Sequence, residues 1–141
     1  MKQSKKLNKG SAGQNRKVGD VFSERYSNKT DVINTPSGLL YRIIETGTGS
    51  QPVATNRVLV NQRILNVDGS VIADTYKTGL PDEFALSEAI DGYREALLMM
   101  REGDRWELVI PPELAWGKKG AGNKIGPNAT LIFDVRLLNV I

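Results

Sequence analysis

Three stretches of this chain alternate apolar and polar residues with the two-residue period of a strand, and that pattern limits the possible folds more than any other feature. Val58, Val60 and Ile64 share one face of the segment 57–67. Trp106, Leu108 and Ile110 share a face of 104–111, and Leu131, Phe133, Val135 and Leu137 a face of 129–141. One segment follows a different period. Ala89, Ile90, Tyr93, Ala96, Leu97 and Met100 recur at helical spacing, with Ser87 or Asp91 placed to cap the start and Gly103 to end it. Half-buried strands need a cover, and one amphipathic helix supplies it, so the expected fold class is α+β, a half-open antiparallel sheet folded over that helix.

Turn chemistry fixes the order of the pieces. Thr35-Pro36-Ser37-Gly38 precedes a strand from Leu39 to Thr46 that stops at Gly47-Thr48-Gly49-Ser50. Asp68-Gly69 is a strong hairpin signal, after which Ser70 to Thr75 returns antiparallel. Thr78-Gly79-Leu80-Pro81 ends that return, and Pro111-Pro112 terminates the strand before it. The expected organisation is a disordered basic tail over 1–18, a short helix or linker over 19–34 holding Val21, Phe22, Arg25 and Tyr26 behind an Asp20 cap, and one folded domain over 35–141.

Charge and composition remove most functions. Lys2, Lys5, Lys6, Lys9, Arg16 and Lys17 all precede the first acid, so with +6 there and +3 overall the remaining chain sums to −3. A mildly acidic folded part does not read as a nucleic-acid surface, and no nucleic acid is expected as a partner. With neither cysteine nor histidine, thiol nucleophiles, disulfides, histidine bases and the usual zinc ligands are all excluded, and no metal or other cofactor is expected. The sequence offers no apolar leader and no run of the ~18 apolar residues that a membrane span requires. The expectation is a cytoplasmic protein without a membrane partner.

Several segments, in fixed order over roughly the last hundred residues, carry a family resemblance. They are Ser37-Gly38-Leu39-Leu40-Tyr41 with Gly47-Thr48-Gly49, then Asp68-Gly69, then Pro81-Asp82-Glu83-Phe84-Ala85-Leu86 with Ala89-Ile90-Asp91-Gly92-Tyr93. Met100-Arg101-Glu102-Gly103, Ile110-Pro111-Pro112-Glu113-Leu114-Ala115-Trp116-Gly117 and Ile125-Gly126-Pro127-Asn128-Ala129-Thr130-Leu131-Ile132-Phe133 complete the set. Together they resemble the FKBP-type peptidyl-prolyl cis-trans isomerases, in particular bacterial members. The resemblance implies an antiparallel sheet of five or six strands wrapped as a half-barrel around one short helix. It also implies a proline-binding pocket between the two.

At the matching positions, Phe84, Ile90, Ile125 and Phe133 keep the family's residue types. Ala89 stands for a valine, Tyr93 for the tryptophan of the pocket floor, Ile72 for a phenylalanine and Trp116 for a tyrosine. Gln62 replaces a tyrosine and Ala73 an aspartate. What the resemblance implies is a substrate-binding set of Phe84, Ala89, Ile90, Tyr93, Ile125 and Phe133, and a catalytic set of Gln62, Ile72, Ala73 and Trp116. The implied partners are proline-containing peptides or unfolded protein segments whose folding the protein assists; a monomer is expected because the stretch before Thr35 is too short and polar for a dimerising helix. Because Gln62 places an amide on an apolar face and Ala73 lacks a carboxylate, the expected isomerase activity is reduced. The alternative is the same fold acting as an inactive binding or chaperone module.

Overall fold

The computed structural model describes residues 9–141, so the first part of the expected tail lies outside the described residues. Its elements are α1 (Ala12–Ser27), β1 (Ile33–Asn34), β2 (Leu40–Glu45), β3 (Arg57–Asn66), β4 (Val71–Asp74), α2 (Thr75–Thr78), β5 (Asp82–Ala85), α3 (Asp91–Met99), β6 (Arg105–Ile110) and β7 (Leu131–Val140). The strands form one seven-stranded sheet in the order β1-β2-β6-β7-β3-β4, with β5 also against β3. Every pairing is antiparallel. The long β3 uses one edge twice: Arg57 to Val60 pair with β5, and Arg63 to Leu65 pair with β4.

Period-two alternation puts the expected side chains on one concave face. Val58, Val60 and Ile64 of β3, Trp106, Leu108 and Ile110 of β6, and Leu131, Phe133, Val135 and Leu137 of β7 close over Tyr93, Ala96 and Leu97 of α3. The helix is shorter than its apolar spacing predicts. Leu86–Glu88 form a 3₁₀ turn, Ala89 and Ile90 are extended, and α3 begins at Asp91 with Ile90 at the capping position and no side-chain cap. Neither Ser87 nor Asp91 caps it. Gly103, at φ 96°, lies in the turn beyond the helix, which has already stopped at Met99.

The hairpin after β3 forms as its sequence requires. Gly69 takes φ 89°, where a side chain is strained, and the Ser70 amide donates to Asp68 Oδ1 at 2.9 Å. Trp106, assigned to packing by its place in the alternation, stacks on Tyr41 with centroids 4.3 Å apart, and its buried Nε1 has no hydrogen-bond partner among the described residues.

The N-terminal segment differs most from expectation. The tail was expected to run to residue 18 with a helix from Asp20, yet α1 begins at Ala12. Ser11 caps it by accepting from the Gln14 amide at 3.1 Å. Its start is held by the domain rather than by its own sequence: Asn15 Nδ2 donates to the Lys9 and Pro127 carbonyls at 2.7 and 2.8 Å, and Arg16 pairs with Glu113. The helix covers the convex face, where Phe22 and Tyr26 pack with Leu40, Val109 and Ile132, and the Tyr26 hydroxyl donates to Glu107 at 2.8 Å. Thus α1 belongs to the packed body.

Close approach is possible because residue 19 is glycine, where an added Cβ would collide with Thr130 Oγ1. In a Gly19→Val variant the helix is expected to lift, so that amides of α1 exchange with solvent about tenfold faster while those of β6 and β7 keep their protection. Hydrogen exchange read residue by residue checks this, and unchanged exchange in α1 would refute it. No helix among the described residues is long and apolar enough to cross a membrane.

Candidate functional site

The residues singled out from the sequence are carried by five elements and two connections. Gln62 is on β3, Ile72 and Ala73 on β4, Phe84 on β5, Tyr93 on α3 and Phe133 on β7. Ala89 and Ile90 form the extended link into α3, Trp116 follows the 3₁₀ turn Pro112–Leu114, and Ile125 sits in the loop before β7.

Most of these converge. Tyr93 is the centre of an aromatic group, 5.5 Å from Phe84 and 4.6 Å from Phe133 between ring centroids, the latter edge to face. Ile125, Tyr93 and Phe133 belong to the buried cluster under the sheet, and Ile72, Ala73, Phe84, Ala89 and Ile90 pack against it while keeping some exposure. Registration explains two of the placements. Ala73 lies opposite Ile64 and Phe84 opposite Val58, so both share the concave face.

Gln62 follows the same alternation and is buried, at 7% exposure, among apolar neighbours. A buried amide left without partners is costly, about 1–3 kcal/mol by mutational measures. The protein supplies them. Tyr93 Oη donates to Gln62 Oε1 at 2.5 Å, and Gln62 Nε2 donates to Asp82 Oδ2 at 3.1 Å. The amide on the apolar face is thus part of a polar line, Tyr93 to Gln62 to Asp82, that runs from the aromatic group to the exposed edge. Burial first, and the Asp82 carboxylate second, push the Tyr93 hydroxyl well above its usual titration range, so it remains a donor. The backbone at Gln62 is fixed as well, since its amide donates to Thr75 Oγ1 at 2.7 Å.

With Ala73 in place, no carboxylate stands at that position, and the next residue, Asp74, is occupied in capping α2 through the Lys77 amide at 3.1 Å. Sequence reading passed over Asp82, whose only signal was its place two residues before Phe84 on what proves to be a strand. The Ile90 carbonyl accepts from Arg94, while its N–H has no acceptor among the described residues. Ile90 itself packs against the cluster that holds Tyr93 and Phe133.

Trp116 stands apart from the aromatic cluster. It is 38% exposed and takes part in no hydrogen bond or ring contact among the described residues. Its loop is nevertheless anchored: the Gly117 amide donates to Pro112 O at 2.9 Å, and Gly117 O accepts from Asn128 at 2.8 Å. A separate cleft of about 670 Å³ runs between α1, the β3–β4 hairpin and the 123–130 loop, and no candidate residue lines it.

Comparison with known proteins places this geometry. Residues 49–138 match the family described as FKBP-type peptidyl-prolyl cis-trans isomerase, and residues 1–43 match a domain amino terminal to FKBP-type peptidyl-prolyl isomerase. The outer membrane protein MIP of Legionella longbeachae is 40% identical over 139 residues, spanning 99% of this chain and 59% of that protein. The FKBP-type 22 kDa peptidyl-prolyl cis-trans isomerase of Escherichia coli K12 is 42% identical over 123 residues, spanning 87% and 60%. The chain thus spans about three-fifths of the length of these relatives. The crystal structure of FkpA from Escherichia coli superposes with a TM-score of 0.88 at 38% identity, over 92% of this chain and 60% of that one. A peptidyl-prolyl cis-trans isomerase from Pseudomonas syringae pv. tomato superposes with a TM-score of 0.84 at 31% identity, over 93% and 96%.

Proposed function

The chain belongs to the FKBP-type peptidyl-prolyl cis-trans isomerase family, and from that premise we propose that it isomerises X-Pro bonds in unfolded segments, with activity reduced by its own substitutions at Gln62 and Ala73. The barrier it acts on is ~18–20 kcal/mol, because twisting the peptide bond breaks amide resonance. No covalent step and no cofactor are needed. A dry cavity favours the twisted amide, which is less charge-separated than the planar one and loses less on leaving water, and each ~1.4 kcal/mol of that preference is tenfold in rate.

The observation that carries this reading is the aromatic group of Phe84, Tyr93 and Phe133, with Ile90 packed against the same cluster and its N–H without an acceptor among the described residues. In this assignment the prolyl ring rests on the three aromatics with Ala89 and Ile125 beside them, and the Ile90 N–H takes a substrate carbonyl. Ile72 and Ala73 form the β4 wall. Trp116, exposed and without a hydrogen-bond partner among the described residues, closes the rim and offers its indole N–H. Gln62 acts differently from a tyrosine, because its amide is already engaged by Tyr93 and Asp82. That same engagement favours a second reading, in which the fold binds proline-containing segments as a chaperone without accelerating their isomerisation.

Cis/trans exchange in Ala-Xaa-Pro-Phe peptides, followed by NMR with and without the protein, separates the two. Acceleration is expected, falling about tenfold in Trp116→Ala, the loss of one rim contact worth ~1.4 kcal/mol. A folded protein that accelerates no peptide would leave the binding module as the reading. The monomeric state expected from the polar N-terminal stretch belongs to the same proposal. A cytoplasmic location draws no support from the relatives, one of which is named an outer membrane protein.

A further inference from the structure

Asp82 lies at the start of β5, opposite Val60 and exposed, and its Oδ2 accepts from Gln62 Nε2. A carboxylate has about four acceptor positions on its two oxygens. Gln62 occupies one, and Oδ1 has no partner among the described residues. Two cations of the neighbouring elements are committed elsewhere. Arg57 is held by Glu83 at 3.0 Å and Arg94 by Asp91 at 2.7 Å, and Asp82 has no ion pair among the described residues. Through Gln62 it is joined to the hydroxyl of Tyr93, the residue at the centre of the aromatic group. One end of this polar line is therefore buried beneath the pocket, and the other is a negative charge at its edge with no ion pair among the described residues.

We propose that Asp82 is a specificity-determining residue of the proline pocket, selecting segments that carry lysine or arginine next to the proline. A prolyl ring seated on Phe84, Tyr93 and Phe133 directs its flanking side chains toward the open edge, since the floor is closed by the core. A cationic side chain arriving there completes the Asp82 carboxylate with a charge-assisted hydrogen bond, while an acidic one meets repulsion. Gln62 holds that carboxylate in place, so the substitution that weakens the general reaction also fixes the charge that discriminates between substrates. Selection rests on the isomerase reading only for its effect on rate; its effect on binding holds for a binding module equally.

The test uses Ala-Lys-Pro-Phe, Ala-Leu-Pro-Phe and Ala-Glu-Pro-Phe with the full chain at low ionic strength, measuring both exchange rates and dissociation constants by NMR. A Lys-to-Glu preference of about tenfold is expected, the sum of an attraction and a repulsion each in the range of exposed ion pairs, and it shrinks as salt is added. In Asp82→Asn, which keeps an acceptor for Gln62, the ratio falls to about twofold or less. In the control Glu83→Gln the ratio persists. Acceleration of none of the peptides, with the Lys-over-Glu preference still present in binding and lost in Asp82→Asn, defeats the isomerase reading and sustains the role of Asp82. Equal rates and equal affinities for the lysine and glutamate peptides, or a ratio that survives Asp82→Asn, overturns it, as does failure of all three peptides to bind.

Discussion

A Phe133→Ala variant is expected to lose about 3–5 kcal/mol of unfolding free energy, the cost typical of removing a buried aromatic ring. Phe133 is 1% exposed near the start of β7, opposite both Ile64 of β3 and Leu108 of β6. Its ring also meets Tyr93 edge to face, so the deletion leaves a void bounded by two strands and the helix, a site that has little freedom to collapse. Stabilities of single domains are about 5–15 kcal/mol, so the variant stands near the limit of folding. Denaturant titration should show a lower midpoint with an unchanged slope. A loss below 1 kcal/mol would mean that the sheet and α3 are not packed through this residue.

The second large effect concerns the polar line. Gln62→Leu preserves bulk but removes the acceptor of the Tyr93 hydroxyl, which is then buried without a partner, and a cost of about 2–3 kcal/mol is expected. The Tyr93→Phe change removes the donor instead and leaves the Gln62 carbonyl unsatisfied. Made together, the two changes replace a matched polar pair by two apolar side chains, so the double variant should cost at least 1 kcal/mol less than the sum of the singles. Additive losses would show that the 2.5 Å contact contributes nothing to folding, and with it would go the argument that Gln62 is accommodated by protein partners.

The elements read correctly from sequence are those whose periodicity reflects burial on one face: β3, β6, β7 and the body of α3. Their side chains sort by alternation because each strand lies between core and surface. β5 is not legible, because four residues beginning Asp82-Glu83 carry no alternation of their own, and they become a strand only through pairing with Arg57 to Val60. The start of α1 was missed for a related reason. Nothing in Ala12 to Lys17 is apolar enough to predict order; order comes from Asn15 and Arg16 reaching Pro127 and Glu113, more than ninety positions away. The aromatic part of the site was legible by resemblance, whereas Asp82 was not, since its relevance depends on a hydrogen bond to Gln62 across two strands.

The contrast between the two tryptophans has a spectroscopic consequence. Trp106 is sealed in the core against Tyr41 with its indole nitrogen unbonded among the described residues, and Trp116 is in contact with solvent. Their fluorescence therefore divides by colour: the short-wavelength emission of Trp106 follows the integrity of the sheet, and the long-wavelength emission of Trp116, in the rim role proposed for it, follows what arrives at the pocket. Unfolding and occupancy are thereby reported by two native dyes in one unlabelled chain.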